Sequence, residues 1–74
     1  MNKVELGSLV TFSQQYHEGR ESRFKRRMAN ECREKETLPA KSPVGQAIMG
    51  LEEGSSVEVE VPGGKCEVTI LKVE

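Results

Sequence analysis

The sequence predicts a small α+β domain in which one short helix accompanies a sheet that ends in a hairpin. The helix signal covers residues 42–50, Ser-Pro-Val-Gly-Gln-Ala-Ile-Met-Gly, which begin with a capping hydroxyl and end with a glycine. A strand-turn-strand pattern follows at residues 57–70, where valine alternates with glutamate before Pro-Gly-Gly. With 74 residues and 35% apolar side chains, the chain forms one domain with a thin core.

The first strand is predicted at residues 4–12, because apolar side chains recur there around a bend or bulge at Gly7 and Ser8. These side chains are Val4, Leu6, Leu9, Val10 and Phe12. Residues 13–22 are polar and contain a glycine, which indicates a hairpin connection to the next element.

Residues 22–33 leave two interpretations open. In a helix, Phe24, Met28 and Cys32 form one stripe at four-residue spacing, and the residue types are good helix formers. In a strand, Phe24 and Met28 share one face, with Arg26 between them. Intrinsic propensity alone favours the helix.

Residues 34–41 predict a polar linker that Pro39 keeps extended. In the short helix that follows, Ser42 caps the first turn and Pro43 suits the first helical position, where no amide hydrogen is needed. The spacing of the apolar residues predicts that one side of this helix is buried. These residues are Val44, Ala47, Ile48 and Leu51.

The terminal hairpin has one apolar and one wet face in each strand. In the first strand, three valines alternate with Glu58 and Glu60. Residues 62–64 make the turn, and the inner face of the returning strand carries Cys66, Val68 and Ile70. By the same alternation, Leu71 and Val73 point the other way and cover a second small cluster.

Charge is unevenly distributed along a chain whose net charge is only −1. Residues 20–35 hold seven of the eleven basic residues, whereas residues 52–60 hold four glutamates and no base. We therefore expect one basic and one acidic face, without a global field that attracts nucleic acid or a membrane.

The two cysteines, Cys32 and Cys66, are too few for a disulfide framework, so we expect both to be reduced in the cytoplasm. The sequence contains no segment of signal-peptide or membrane-spanning type, so no membrane association is expected. It contains neither a Cys-x-x-Cys motif nor a nucleophile–base pair, so no metal, no cofactor and no enzymatic activity are expected.

Residues 42–73 resemble the C-terminal domain of the bacterial Gre transcript-cleavage factors. The resemblance rests on three motifs in order: the helix signal at 42–50, Val-Glu-Val-Glu-Val-Pro-Gly-Gly at 57–64, and Ile-Leu-Lys-Val at 70–73. Residues 7–11, Gly-Ser-Leu-Val-Thr, also resemble the first strand of that domain.

The resemblance implies an FKBP-like fold over residues 1–74, a twisted antiparallel sheet with one short helix at about residues 43–49. It also favours a strand for at least residues 22–29. In Gre factors this domain docks on RNA polymerase at the rim of the secondary channel, against a coiled coil of the largest subunit. The residues implied in partner binding are Ser42, Pro43, Val44, Gly45 and Gln46.

Two departures from the family pattern shape the expected function. In Gre factors, an N-terminal helical hairpin carries two acidic residues that help hold a magnesium ion in the polymerase active site. This sequence starts almost at the docking domain, so we expect no transcript cleavage but a module that modulates elongation or competes with cleavage factors. Ser55 stands where the family usually has Asp, and residues 20–40 match poorly.

Other functions stay open. A possible basic patch, made of Arg23, Lys25, Arg26 and Arg27, can bind nucleic-acid phosphate, by itself or within the polymerase complex, or an acidic protein surface. Interspersed glutamates and scarce aromatic residues favour a solvated strand face instead.

An FKBP-like fold also raises prolyl isomerase activity, which needs an aromatic-lined pocket that Phe12, Tyr16 and Phe24 do not easily build. A remnant without any partner is the remaining alternative. Exposed strand edges are compatible with either a monomer or a weak dimer.

Overall fold

A computed structural model describes residues 2–30 and 36–74, in which a five-stranded sheet carries one helix on one face. The strands are β1 (Leu9–Tyr16), β2 (Glu21–Ala29), β3 (Thr37–Pro39), β4 (Ser56–Val61) and β5 (Gly64–Val73), and helix α1 is Pro43–Ile48. The strand order is β3-β2-β1-β5-β4, and only the β2–β3 pair is parallel. The predicted α+β fold is confirmed, with a mixed sheet in place of an antiparallel one.

Strand β1 differs from the prediction at both ends. It starts at Leu9 and continues to Tyr16, so residues 13–16 belong to a strand, and the hairpin connection is limited to residues 17–20. The polar side chains misled the prediction because β1 is a central strand. Its backbone groups pair with β2 and β5, while Ser13 and Gln15 project from the face opposite the core.

Residues 4–8, which precede β1, form a segment that connects the end of α1 to β2; we call it the strap. The Val4 side chain is fully buried, its amide donates to the Leu51 carbonyl, and its carbonyl accepts from the Gly50 amide, both at 2.8 Å. Gly7 adopts a φ of 88°, and its amide donates to the Met28 carbonyl at 2.8 Å. The strap therefore orders the helix exit through hydrogen bonds distant in sequence.

Strand β2 confirms the strand interpretation of residues 22–29. Residues 31–35 lie outside the described residues. The prediction that Cys32 is reduced therefore concerns a residue that the structure does not describe. The predicted polar linker at residues 34–41 is wrong in part, because Thr37–Pro39 pair in parallel with residues 27–29 of β2. The Arg27 amide donates to the Glu36 carbonyl at 2.9 Å, which begins this pairing.

The core lies between α1 and the inner face of the sheet. Its buried side chains are Val4, Val10, Phe12, Met28, Val44, Ile48, Val59, Cys66, Val68, Ile70 and Val73. The predictions that α1 buries Val44 and Ile48, and that β5 buries alternate residues from Cys66, are confirmed. Burial raises the pKa of the Cys66 thiol, so this side chain stays protonated and packs as a small apolar group.

Strand β5 contains an irregularity that overturns one prediction. Val73 is 3% exposed and belongs to the main core, whereas Leu71 is 42% exposed. The register of β1 with β5 shifts between Thr11 and Phe12, so that Phe12 pairs with Ile70 but Thr11 pairs with Lys72. Leu71 is the extra residue of a bulge, and the bulge returns Val73 to the inner face.

A compact group of hydrogen bonds sets the start of α1; we call it the capping node, formed by Pro39, Ser42 and Gly45. The Ser42 hydroxyl donates to the Pro39 carbonyl at 2.7 Å and accepts from the Gly45 amide at 3.1 Å. The Ser42 amide also donates to the Pro39 carbonyl, at 3.0 Å. The predicted helix and its cap are confirmed, and the node joins α1 to the end of β3.

Gly45 is required by the capping node although its backbone is helical. A methyl group built on its Cα overlaps the carbonyl oxygen of Pro39 and lies 2.9 Å from the Ser42 hydroxyl oxygen. The start of α1 and the end of β3 thus lie closer together than a side chain at position 45 would allow.

Charged side chains of β2 and β5 meet the Glu74 carboxylate at the carboxyl end of the chain. The Lys72 ammonium lies 2.7 Å from one oxygen of the Glu74 carboxylate, and the Lys25 ammonium lies 3.7 Å from the other. The hydrogen bond from Lys72, followed by the charge of Lys25, lowers the pKa of Glu74 below its ordinary value.

No helix among the described residues is long and apolar enough to cross a membrane.

We predict that Gly45→Ala destabilises the protein by about 1–3 kcal/mol, because the added methyl pushes the Pro39 carbonyl out of the capping node. In an ordinary helix the same change stabilises by up to about 1 kcal/mol. Urea unfolding at equilibrium measures the sign directly.

The control for this prediction is Gln46→Ala, since Gln46 is exposed and lies one position further along the same helix. That variant should unfold within about 0.5 kcal/mol of the parent chain. A Gly45→Ala variant as stable as the parent would show that the close approach is not needed.

We further predict that the Glu74 carboxyl titrates below 4.5, its ordinary value. A lowered pKa stabilises the fold above the ordinary value, and this contribution is lost as the pH falls through the lowered one. NMR titration of the side-chain carboxyl carbon measures it, and Lys72→Ala should move the midpoint back toward 4.5. An unchanged midpoint in that variant would contradict the assignment.

Candidate functional site

The residues implied in partner binding lie together at the start of α1. Pro43 and Gln46 are exposed and Ser42 is half-buried, whereas Val44 and Gly45 are buried. The buried pair positions the helix, and Pro43 and Gln46 are the members of the set that are exposed. We call these two residues, with the exposed Lys41 before the cap, the helix rim.

Lys41 is not among the predicted residues, because the sequence placed it in the linker, but it is exposed next to the cap. The exposed residues Pro43, Gln46 and Gly50 follow a spacing of three and four, complementary to the buried positions 44 and 48. This helical periodicity is the signal that identifies the outward face of α1, and Lys41 extends that face beyond the cap.

The helix rim is nearly uncharged and combines an apolar ring with hydrogen-bonding groups. The helix has no acidic residue in its first turn and no basic residue in its last turn. Pro43 presents an apolar ring, Gln46 an amide that both donates and accepts, and Lys41 the one charge of the rim. Such a surface suits a mixed apolar and polar partner with an acidic group near Lys41.

The rim is held in place from both ends of the helix. The capping node fixes the first turn, and the bonds of Val4 to Gly50 and Leu51 fix the exit. Between these points, Ile48 is fully buried in the core. The outward side chains are therefore presented on a preformed surface, which reduces the entropy lost on binding.

The possible basic patch is divided between the two faces of the sheet. Arg23, Lys25 and Arg27 project from the outer face, whereas Arg26 lies on the inner face, with its guanidinium 5.1 Å from the centre of the Phe24 ring. The alternation of β2 causes this separation, so the four side chains do not form one surface.

Each outer cation already has a protein acceptor. Arg23 pairs with Glu21 at 3.4 Å, Lys25 pairs with Glu74 at 3.7 Å, and Arg27 donates to the Gly7 carbonyl at 2.6 Å. The two carboxylates offset part of the positive charge of this face, whereas the Gly7 carbonyl holds the Arg27 guanidinium in place without neutralising it. The geometry therefore favours the solvated strand face over a nucleic-acid site.

The aromatic side chains do not gather around one groove. Phe12 is buried and contacts Phe24, with ring centres 5.5 Å apart. Tyr16 lies at the far end of β1, where the Arg20 guanidinium covers its ring at 4.6 Å.

A groove of about 390 Å³ opens beside Tyr16, between the β1–β2 and β4–β5 hairpin loops. Its other lining residues are His17, Glu18, Arg20, Pro62, Gly63, Gly64 and Lys65. The residues that the structure describes contain no cluster of three or more His, Cys, Asp or Glu that could hold a metal ion.

The sequence of this chain is similar to those of known transcription elongation factors. The sequence model of the family described as transcription elongation factor GreA/GreB, C-terminal, matches residues 1–74. The transcription elongation factor GreA of Syntrophomonas wolfei is 39% identical over 72 residues, which cover 96% of this chain and 45% of the relative. GreA of Ruegeria pomeroyi is 49% identical over 41 residues, 55% of this chain and 26% of the relative. The chain thus spans less than half the length of these relatives.

Solved structures show the same fold. The crystal structure of GreA factor homolog 1 of Thermus thermophilus matches with a TM-score of 0.72 at 19% identity, covering 99% of this chain and 49% of that one. The elongation factor GreA/GreB of Nitrosomonas europaea matches with a TM-score of 0.61 at 27% identity, covering 95% of this chain and 59% of that one. Since the family match extends over every residue of the sequence, this chain belongs to the GreA/GreB C-terminal domain family of transcription elongation factors.

Proposed function

We propose that this chain is an RNA polymerase-binding module that modulates transcription elongation without catalysing a reaction. It docks at the rim of the secondary channel, on the coiled coil of the largest subunit, and competes there with cleavage factors. The proposal rests on the family match over residues 1–74 together with the preformed helix rim. It places the protein in the cytoplasm and brings it near nucleic acid only through the polymerase.

The observation that carries the proposal is the agreement between motif and exposure at the start of α1. Residues 42–50 carry the family resemblance, and the structure turns two of them, Pro43 and Gln46, outward on a fixed helix. The remaining members form the capping node, pack in or against the core, or, in the case of Gly50, bond to Val4 at the end of the helix. The motif therefore combines a support and a contact surface in nine residues.

Competition requires only that the module occupy the site, so affinity is the quantity that matters. A small, rigid rim binds with modest energy, concentrated in a few side chains at its centre. The coiled coil offers an elongated helical surface with charged and apolar stripes. Pro43 would pack on an apolar stripe while Gln46 and Lys41 bond to polar groups beside it.

We predict that Pro43→Ala and Gln46→Ala each weaken binding to core RNA polymerase by about 5- to 30-fold, corresponding to about 1–2 kcal/mol per contact residue. Biolayer interferometry with immobilised polymerase measures the dissociation constants. Ser42→Ala is unsuitable here, because it removes the cap and destabilises the helix.

The matched control is the triple variant Arg23→Ala, Lys25→Ala, Arg27→Ala, which changes the outer face of β2 and leaves the rim intact. Its affinity should stay within about twofold of the parent. Loss of binding in the triple variant but not in the rim variants would assign docking to the basic surface. If the parent chain fails to bind at micromolar concentration or to displace full-length GreA, the docking proposal is wrong.

A further inference from the structure

We propose that the free edge of β4 is a second binding surface, which accepts an extended basic segment of a partner protein by antiparallel strand addition. Strand β4 is the last strand of the sheet, and no described residue pairs with its outer edge. Helix α1 itself packs against β4, but the proposal concerns the backbone edge of β4 and not the side chains of the helix rim, so it is tested without RNA polymerase.

The hydrogen-bond pattern between β4 and β5 shows which backbone groups of β4 are free. The Ile70 amide donates to the Ser55 carbonyl, and antiparallel ladder bonds recur at every second residue. The groups directed at β5 therefore belong to the three valines of β4, at positions 57, 59 and 61. Three amides and three carbonyls point away from the sheet, those of Ser56, Glu58 and Glu60.

The two edges of the sheet differ in how well they are protected. At the opposite edge, β3 is only three residues long and ends in Pro39, which has no amide hydrogen to offer. Strand β4 has six residues, contains no proline, and pairs with β5 in an uninterrupted register. An incoming strand thus finds a regular template at β4 alone.

The charges beside β4 select the occupant. Glu58 and Glu60 project from the outer face, and their side chains are 64% and 82% exposed. Glu67 lies directly opposite Glu58 across the β4–β5 pair, which is an unfavourable like-charge contact. One cation, Lys65, approaches both β4 carboxylates, at 3.8 and 4.0 Å.

An added strand would place every second side chain next to these carboxylates. Residues paired with Glu58 and Glu60 project from the outer face, so lysine or arginine at those two positions relieves the local excess of negative charge. The residue between them pairs with the buried Val59 and projects from the inner face, between the half-buried Val57 and Val61. The favoured segment therefore alternates basic and apolar residues.

A second copy of this chain is the competing occupant. The sequence Arg23-Phe24-Lys25 has the same basic-apolar-basic pattern. In this chain those residues already pair with β1 over their whole length. Pairing β4 with β4 of another copy is disfavoured, because it would bring the two glutamate pairs together. The experiment below separates a foreign strand from self-association.

The probe is a capped peptide that alternates lysine and valine, added to the isotopically labelled full chain. We expect NMR shifts and at least about tenfold slower hydrogen exchange at the amides of Ser56, Glu58 and Glu60. The double variant Glu58→Gln, Glu60→Gln should weaken binding about fivefold, since it removes two exposed ion pairs. Both side chains are exposed, so this variant should fold like the parent.

A matched peptide that is N-methylated on its lysine backbone amides keeps every charge but cannot donate to β4. It should lose binding at least about tenfold. Equal binding of the two peptides would reduce the contact to charge alone and overturn strand addition. The proposal is also overturned if the peptide does not bind at about 1 mM, or if the free chain self-associates through β4 at that concentration.

Discussion

The carbonyl oxygen of Pro39 determines how the start of α1 meets the end of β3. It lies at the end of the parallel strand β3 and accepts hydrogen bonds from the amide and the hydroxyl of Ser42. The same hydroxyl accepts a hydrogen bond from the Gly45 amide. Because a side chain at position 45 would occupy the same space, the helix lies as close to the strand end as two backbones allow. This group therefore sets the position of the first turn of α1, where Pro43 and Gln46 lie.

The rest of the domain supports that end with few residues. The strap at Val4 and the bonds to Gly50 and Leu51 hold the helix exit, and Ile48 anchors the helix between them. A domain of 74 residues has little core to spare, so hydrogen bonds between distant segments provide rigidity that packing alone would not. Most charged side chains of β2 and β4 project from the outer face of the sheet, and the helix rim itself carries one charge, Lys41.

Local signals predicted the helix and the terminal hairpin well, because a capping serine, a proline and turn glycines act within a few residues of themselves. The sequence predicted less where pairing is long-range. The polar residues Ser13 and Gln15 form a strand because β2 and β5 lie on either side, and the parallel pairing of β3 has no local signature. The rim residues were found through the family motif, but only burial separated Val44 and Gly45 from the exposed members.

Because of the bulge at Leu71, strand β5 can lose one residue without changing which side chains face the core. The surplus residue sits where Thr11 and Phe12 shift register, and the alternation of inner and outer side chains resumes correctly on both sides of it. Removing Leu71 would join Ile70 directly to Lys72 and leave Val73 buried, because a regular strand pairs Thr11 with the residue after Ile70. A one-residue deletion at this position would therefore be accommodated in evolution, since the buried and exposed faces of the strand stay the same.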